Sequence, residues 1–153
     1  MTGETEKFRF DPMLNHDTMT TPVILYVDDD KDDCNLLKES FASTTTSLVC
    51  LSGGEDAIRY LNNLNGNYPS LIILDLNMPR WDGRQTLNYI KSHSRLSKIP
   101  VVILSTSENK MDQEVCRHLG ATSYLQKPYH FEEYRKIVEK CMPLLEMSGE
   151  TAF

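Results

Sequence analysis

Short apolar runs recur along the chain, separated by stretches in which apolar residues fall three and four apart. Val23-Ile24-Leu25-Tyr26-Val27, Leu71-Ile72-Ile73-Leu74 and Val101-Val102-Ile103-Leu104 are continuous, as in strands buried on both faces. Leu48 to Leu51 is a shorter candidate, and Ser123-Tyr124-Leu125-Gln126 is the weakest. Pro100 stands at the entrance of the Val101 run, where a missing N–H does least harm. The intervening stretches predict helices. Cys34, Leu37 and Phe41 share one face, with Asp30 or Asp32 as N-cap. Ala57, Ile58, Leu61 and Leu64 give a second helix, and Leu87 with Ile90 a third. Met111, Val115 and Leu119 give a fourth, stopped by Gly120. Phe131, Tyr134, Ile137, Val138 and Cys141 form the clearest amphipathic stripe, limited by Pro143. Strands alternating with helices predict an α/β fold, an open doubly wound parallel sheet with helices on both faces.

In such sheets, sites form at the carboxyl ends of the strands. The first run ends in Asp28-Asp29-Asp30, the third in Asp75, the fourth in Ser105-Thr106-Ser107, and the fifth runs into Lys127-Pro128. Each is weak alone, since strand-end Asp residues are often helix caps. On one sheet edge they become a set of carboxylates with a hydroxyl and a lysine. Clustered carboxylates suit a hard cation such as Mg²⁺, and a lysine beside them can hold a phosphoryl oxygen.

Composition narrows the reading further. The 153 residues carry 16 Lys and Arg against 22 Asp and Glu, a net charge of −6. This argues against a broad basic face for nucleic acid. No apolar run reaches the roughly 20 residues of a spanning helix, and the N-terminus lacks a signal-peptide core, so a cytoplasmic protein with no membrane partner is expected. Residues 1–21 are polar apart from Phe8, Phe10, Met13 and Leu14, and predict a flexible arm. Residues 22–143 are expected to form the domain and 144–153 a short tail, with no output module expected after it. The four cysteines, Cys34, Cys50, Cys116 and Cys141, have no metal-ligand spacing. They are expected to be small buried hydrophobes in a reducing compartment.

The stretch Val27-Asp28-Asp29-Asp30, the run Leu74-Asp75-Leu76-Asn77-Met78-Pro79 with Asp82-Gly83, the strand end Leu104-Ser105-Thr106-Ser107, and Ser123-Tyr124-Leu125-Gln126-Lys127-Pro128 together resemble a response-regulator receiver domain. The intervals between these motifs fit that family, over about residues 22–143. The resemblance implies a flavodoxin-like, CheY-like sheet of order 2-1-3-4-5. It implies Asp75 as phosphoacceptor, Asp29 as direct Mg²⁺ ligand with Asp28 acting mainly through water, and the Asn77 carbonyl as a further ligand. Ser105 takes the switch-hydroxyl position, Lys127 the phosphate-pairing position and Tyr124 that of the switch aromatic. The Lys127–Pro128 bond is expected to be cis. Asn77 and Ser107 occupy positions that tune phosphate lifetime. Ser105-Thr106-Ser107, with Ile99-Pro100-Val101-Val102 before it, resembles small receivers associated with bacterial phytochromes.

The expected function is phosphoryl acceptance from a sensor histidine kinase or a phosphotransfer protein. The signal would pass to an output protein, to a phosphorylation-dependent homodimer, or onward in a phosphorelay. Such a chain assists its own phosphotransfer and dephosphorylation and is otherwise no enzyme. An aspartate-nucleophile phosphatase would need a second Asp where Asn77 stands. A flavin carrier would need a Thr/Gly-rich loop where Asp28-Asp29-Asp30 stands.

Overall fold

The computed structural model describes residues 21–147. The predicted arm, apart from Thr21, and residues 148–153 of the tail lie outside them. Five strands, β1 (Val23–Val27), β2 (Ser47–Leu51), β3 (Leu71–Leu74), β4 (Val101–Ser105) and β5 (Ser123–Gln126), form one sheet of order 2-1-3-4-5. Every pairing is parallel. The helices are α1 (Lys31–Ser40), α2 (Gly54–Asn62), α3 (Gly83–Ser92), α4 (Lys110–His118) and α5 (Tyr134–Met147). Among the described residues no helix is long and apolar enough to cross a membrane.

Alternation along each strand explains why the runs are continuous rather than alternating. Leu25, Val27, Ile72, Leu74, Val101 and Ile103 pack with Ala57, Leu61, Leu87, Ile90 and Cys116 of α2, α3 and α4. Ile24, Tyr26, Leu71, Ile73, Val102 and Leu104 pack with Leu37, Tyr134, Ile137 and Cys141 on α1 and α5. Each fully buried Leu or Ile stabilises this two-sided core by roughly 1.5–3 kcal/mol.

Several expectations are corrected. In α4 the buried side chain is Cys116, while Met111 and Val115 are 71 % and 37 % exposed. The Arg84 guanidinium of α3 pairs with Asp112, which turns Asp112 and, one turn on, Cys116 toward the body of the protein. Phe131 is 47 % exposed rather than packed on the sheet. Phe131–Glu133 forms a 3₁₀ turn ahead of α5, which breaks the 3.6-residue phase, and the Phe131 ring stacks on Tyr134 instead. Pro143 does not end α5, which runs to Met147. Met142, Leu144 and Leu145 carry the apolar face onward against the core, which offsets the hydrogen bond that proline cannot make. No cis peptide occurs among the described residues, so the bond before Pro128 is trans, the isomer an X–Pro bond prefers by about 0.5–1 kcal/mol.

The cysteines divide into two classes. Cys116 and Cys141 are free and buried as expected, and burial pushes the Cys141 thiol up to about 12. Cys34 and Cys50 instead form a disulfide with Cα atoms 6.3 Å apart. Leu48 and Cys50 face the α1 side of the sheet with Cys34, so helix-on-sheet packing brings the two thiols within bridging distance. The bridge closes a loop with a sequence separation of 16 residues, which corresponds to about 3 kcal/mol of stabilisation. Reduction by dithiothreitol should lower the urea-unfolding free energy by about 2–4 kcal/mol. An equal loss should follow from Cys34→Ser, with no further effect of reductant on that variant.

Candidate functional site at the carboxyl edge of the sheet

Backbone ladders continue one residue past the strands and fix the site. Asp28 N–H donates to Leu51 O at 3.0 Å, Asp75 N–H to Val27 O at 3.0 Å, and Lys127 N–H to Ser105 O at 2.8 Å. The residues following β1, β3 and β5 are therefore in register with the sheet, and their side chains leave from a common edge. The α3 N-terminus closes tightly under the Asp75 loop. Asp82 caps α3 in a reciprocal box with Gln85, and Gly83 N–H donates to Leu76 O at 2.8 Å. A Cβ at Gly83 would lie 2.3 Å from the Asp75 carbonyl, so the Asp82-Gly83 pair seen in the sequence is needed for this approach.

Asp28, Asp29 and Asp75 offer carboxylate oxygens that all lie within 4.8 Å of one another. Asp28 and Asp75 are buried, and Asp29 is exposed. Burial, and then the charge of Asp28, push the Asp75 carboxyl up to about 7, while Lys127 and the Asn77 backbone N–H act in the opposite direction. A crowded all-oxygen set with two of its three carboxylates buried is an unfavourable arrangement for bare anions. It fits a hard divalent cation.

Lys127 supplies positive charge. Its Nζ donates to Asp28 Oδ2 at 2.8 Å and to Asp33 Oδ2 at 2.7 Å, and lies 3.7 Å from Asp75 Oδ1. Burial alone would lower its pKa, but the hydrogen bonds to Asp28 and Asp33 outweigh burial and raise it, so the side chain is an ammonium. The Tyr26 hydroxyl, on the buried face of β1, donates to Asp28 Oδ2 at 2.5 Å. Burial and then the charge of Asp28 raise its pKa, so the phenol stays protonated and acts as a donor only.

Ser105, Ser107 and Tyr124 occupy the β4–α4 side of the site. Ser105 is fully buried, and its hydroxyl oxygen accepts from Ser107 N–H at 3.1 Å. The Ser107 hydroxyl donates to Asp112 Oδ2 at 2.7 Å and accepts from Asn109 N–H at 3.2 Å. The Ser107 side chain thus holds the start of α4, and with Arg84 and Asp112 it forms one network. The Tyr124 hydroxyl donates to the Ser107 carbonyl at 3.0 Å, which ties β5 to the same loop. Asn77 is exposed at the rim. Trp81 packs edge-on against Tyr89, with ring centroids 6.1 Å apart.

Tyr26 and Asp33 are the two site residues missed in the sequence. Tyr26 carried a signal, since it is the one polar tip in an aliphatic run and lies two residues before Asp28, on the same strand face. Asp33 carried none. It reads as a first-turn helix acid, and only the tertiary fold brings it to Lys127, 94 residues away in sequence.

The chain matches the response regulator receiver domain family over residues 24–139. It belongs to that family. The receiver is 38 % identical to response regulator Rcp1 of Synechocystis over 124 residues, covering 76 % of this chain and 84 % of the relative. It is 34 % identical to the probable methanogenesis regulatory protein FilR2 of Methanothrix harundinacea over 123 residues, or 77 % and 79 % of the two chains. Among solved structures it resembles the phosphorylated cyanobacterial phytochrome response regulator RcpA, with a TM-score of 0.76 at 34 % identity, covering 83 % of this chain and 95 % of that one. The Mn²⁺-bound form of Rcp1 gives 0.74 at 35 % identity over 86 % and 99 %. The receiver fold and its strand order are as the sequence motifs implied, and the likeness to phytochrome-associated receivers extends beyond the Ser105-Thr106-Ser107 tripeptide.

Proposed function

We propose that this receiver takes a phosphoryl group onto Asp75 from a phosphohistidine of a sensor histidine kinase or phosphotransfer protein. The observation that carries the reading is the convergence of Asp28, Asp29 and Asp75 within 4.8 Å, with the Lys127 ammonium 3.7 Å from Asp75. Asp29 and Asp75 would hold Mg²⁺ directly, with Asp28 through water and Asn77 through its carbonyl. When bound, the ion would neutralise the carboxylates and take up charge on the phosphoryl oxygens. Mn²⁺ in the Rcp1 structure supports a divalent site in this family.

An Asp75 carboxylate oxygen attacks phosphorus, and the phosphorus–nitrogen bond of the donor breaks. The electron pair leaves on the imidazole nitrogen, which then takes a proton. Catalysis is mostly positioning and charge neutralisation. Lys127 pairs with one phosphoryl oxygen, and the Ser105 hydroxyl turns to donate to another while still accepting from Ser107 N–H. Ser105 then draws the Ser107 loop with it, and the bond from Tyr124 carries that motion to β5. Asn77, exposed at the rim, would orient an attacking water and so set phosphate lifetime, and Ser107 would be too short to screen the site. The chain assists these steps without acting on a further substrate.

The face of α4, β5 and α5 delivers the output, to a partner protein or to a second copy. Met111, Tyr129 and Phe131 are exposed on or beside it, and apolar and aromatic side chains are favoured at interfaces. A cytoplasmic receiver works in a reducing thiol pool, where the Cys34–Cys50 bridge opens and the stability cost predicted above applies.

Incubation with acetyl phosphate and Mg²⁺ should add one base-labile phosphoryl group to the intact mass. Chelation by EDTA beforehand should prevent the addition. Equal labelling with and without the chelator would contradict the metal-assisted reading.

A further inference from the structure

Lys127 makes its short contacts away from the acceptor. Of its three N–H donors, one goes to Asp33 at 2.7 Å and one to Asp28 at 2.8 Å, while Asp75 stands off at 3.7 Å. Asp28 has further partners. Its Oδ2 also accepts from Tyr26, and its Oδ1 accepts from Asp30 N–H at 2.9 Å. Asp33 lies outside the set of three carboxylates that could hold a cation. It sits in the first turn of α1, where its N–H donates to the Asp30 cap at 3.4 Å. The Asp33 side chain is 21 % exposed, against 1 % for Asp28 and 6 % for Asp75. It is the outermost of the three carboxylates around the ammonium and the one most easily released.

We propose that Asp33 is a positioning residue that holds Lys127 back from Asp75, and that the phosphoryl group must win the ammonium from it. The proposal rests on Asp75 being the acceptor, as argued above. Two anions, the Asp33 carboxylate and a phosphoryl oxygen, compete for the position of one cation, because the short Asp33 contact holds Nζ 3.7 Å from Asp75, beyond hydrogen-bond reach of its third N–H. While Asp33 is charged, part of the attraction between Lys127 and the phosphoryl group is spent on ending the Asp33 contact. With a neutral side chain at position 33, Lys127 keeps Asp28 and turns the freed donor toward Asp75. Asp33 therefore sets the threshold at which the site fills, without touching the phosphoryl group.

Beryllofluoride with Mg²⁺ is the probe, titrated calorimetrically into the full chain. Asp33→Asn should bind it about tenfold more tightly, the scale of one charge-assisted hydrogen bond. Asp33→Glu, which keeps a carboxylate, should bind as the native protein does. Asp33→Ser provides a second neutral variant should Asp33→Asn fold poorly in a urea melt. In a Lys127→Met background Asp33→Asn should change nothing, because the coupling runs through the ammonium. Unchanged or weaker binding by both neutral variants would overturn the proposal. So would a gain that persists without Lys127, since Asp33 would then act through its field alone. If the native protein binds beryllofluoride but the neutral variants match it, only the Asp33 proposal falls. If the native protein binds none, the phosphoacceptor reading falls with it.

Discussion

Replacing Lys127 with alanine should lower the unfolding free energy by about 3 kcal/mol in metal-free buffer, and millimolar Mg²⁺ should restore much of the loss. The Lys127 side chain is 9 % exposed, and its ammonium stands among the carboxylates of Asp28, Asp33 and Asp75. Removing one partner from a buried ionic cluster costs about 3–5 kcal/mol, because it strands the charges left behind. The low end applies here, since Asp33 retains contact with water and Asp75 can take up a proton. A divalent cation supplies positive charge to the same oxygens and relieves the same repulsion. Urea melts of native and variant protein, each with and without Mg²⁺, check this. The variant should gain more from the ion than the native protein does. Equal gains would show that Lys127 and the cation do not share the carboxylates.

Asp75→Asn should raise the melting temperature at about pH 8 without metal and change it little at about pH 4. In the fold the Asp75 carboxyl is held near 7, against an ordinary value of 3.8. Between these values the folded protein binds more protons than the unfolded chain, so stability falls as pH rises through that window. Below the ordinary carboxylate value both states are protonated and the contribution is fully present. Above about 7 the folded protein holds a carboxylate that burial and Asp28 disfavour, and the contribution is lost. An amide cannot ionise, so the variant escapes the loss. Calorimetric melts across this range should show the native curve falling more steeply than that of Asp75→Asn. Parallel curves would mean that Asp75 is not perturbed. Saturating Mg²⁺ should flatten the difference, because the ion replaces the proton.

Features carried by local pattern were legible in the sequence, and those set by packing between elements were not. Val23–Val27 and Leu71–Leu74 read correctly because a strand covered on both faces needs apolar residues at every position. The convergence of Asp28, Asp29, Asp75 and Lys127 at one edge, beside Ser105 at the end of β4, was legible because parallel strands deliver their ends to one edge. In the Met111-Val115-Leu119 stripe Leu119 packs against the core as read, but Met111 and Val115 misled, because the spacing of apolar residues does not include the Arg84–Asp112 pair across from α3. Pro143 misled because its local penalty was outweighed by Leu144 and Leu145 packing beyond it. The Cys34–Cys50 bridge and the Asp33–Lys127 pair each join residues with no shared motif. Both arise where α1 lies across the sheet, one over β2 and the other toward β5.

The central claim is that Asp75, alone among the clustered carboxylates, is the phosphoryl acceptor. The direct test is proteolytic mass mapping after treatment with acetyl phosphate and Mg²⁺, with borohydride reduction to mark the labelled carboxyl. The account predicts one modified peptide, modified at Asp75, and no label in Asp75→Ala. Label of native extent in Asp75→Ala, or label mapped to Asp28 or Asp29 in the native protein, would contradict it.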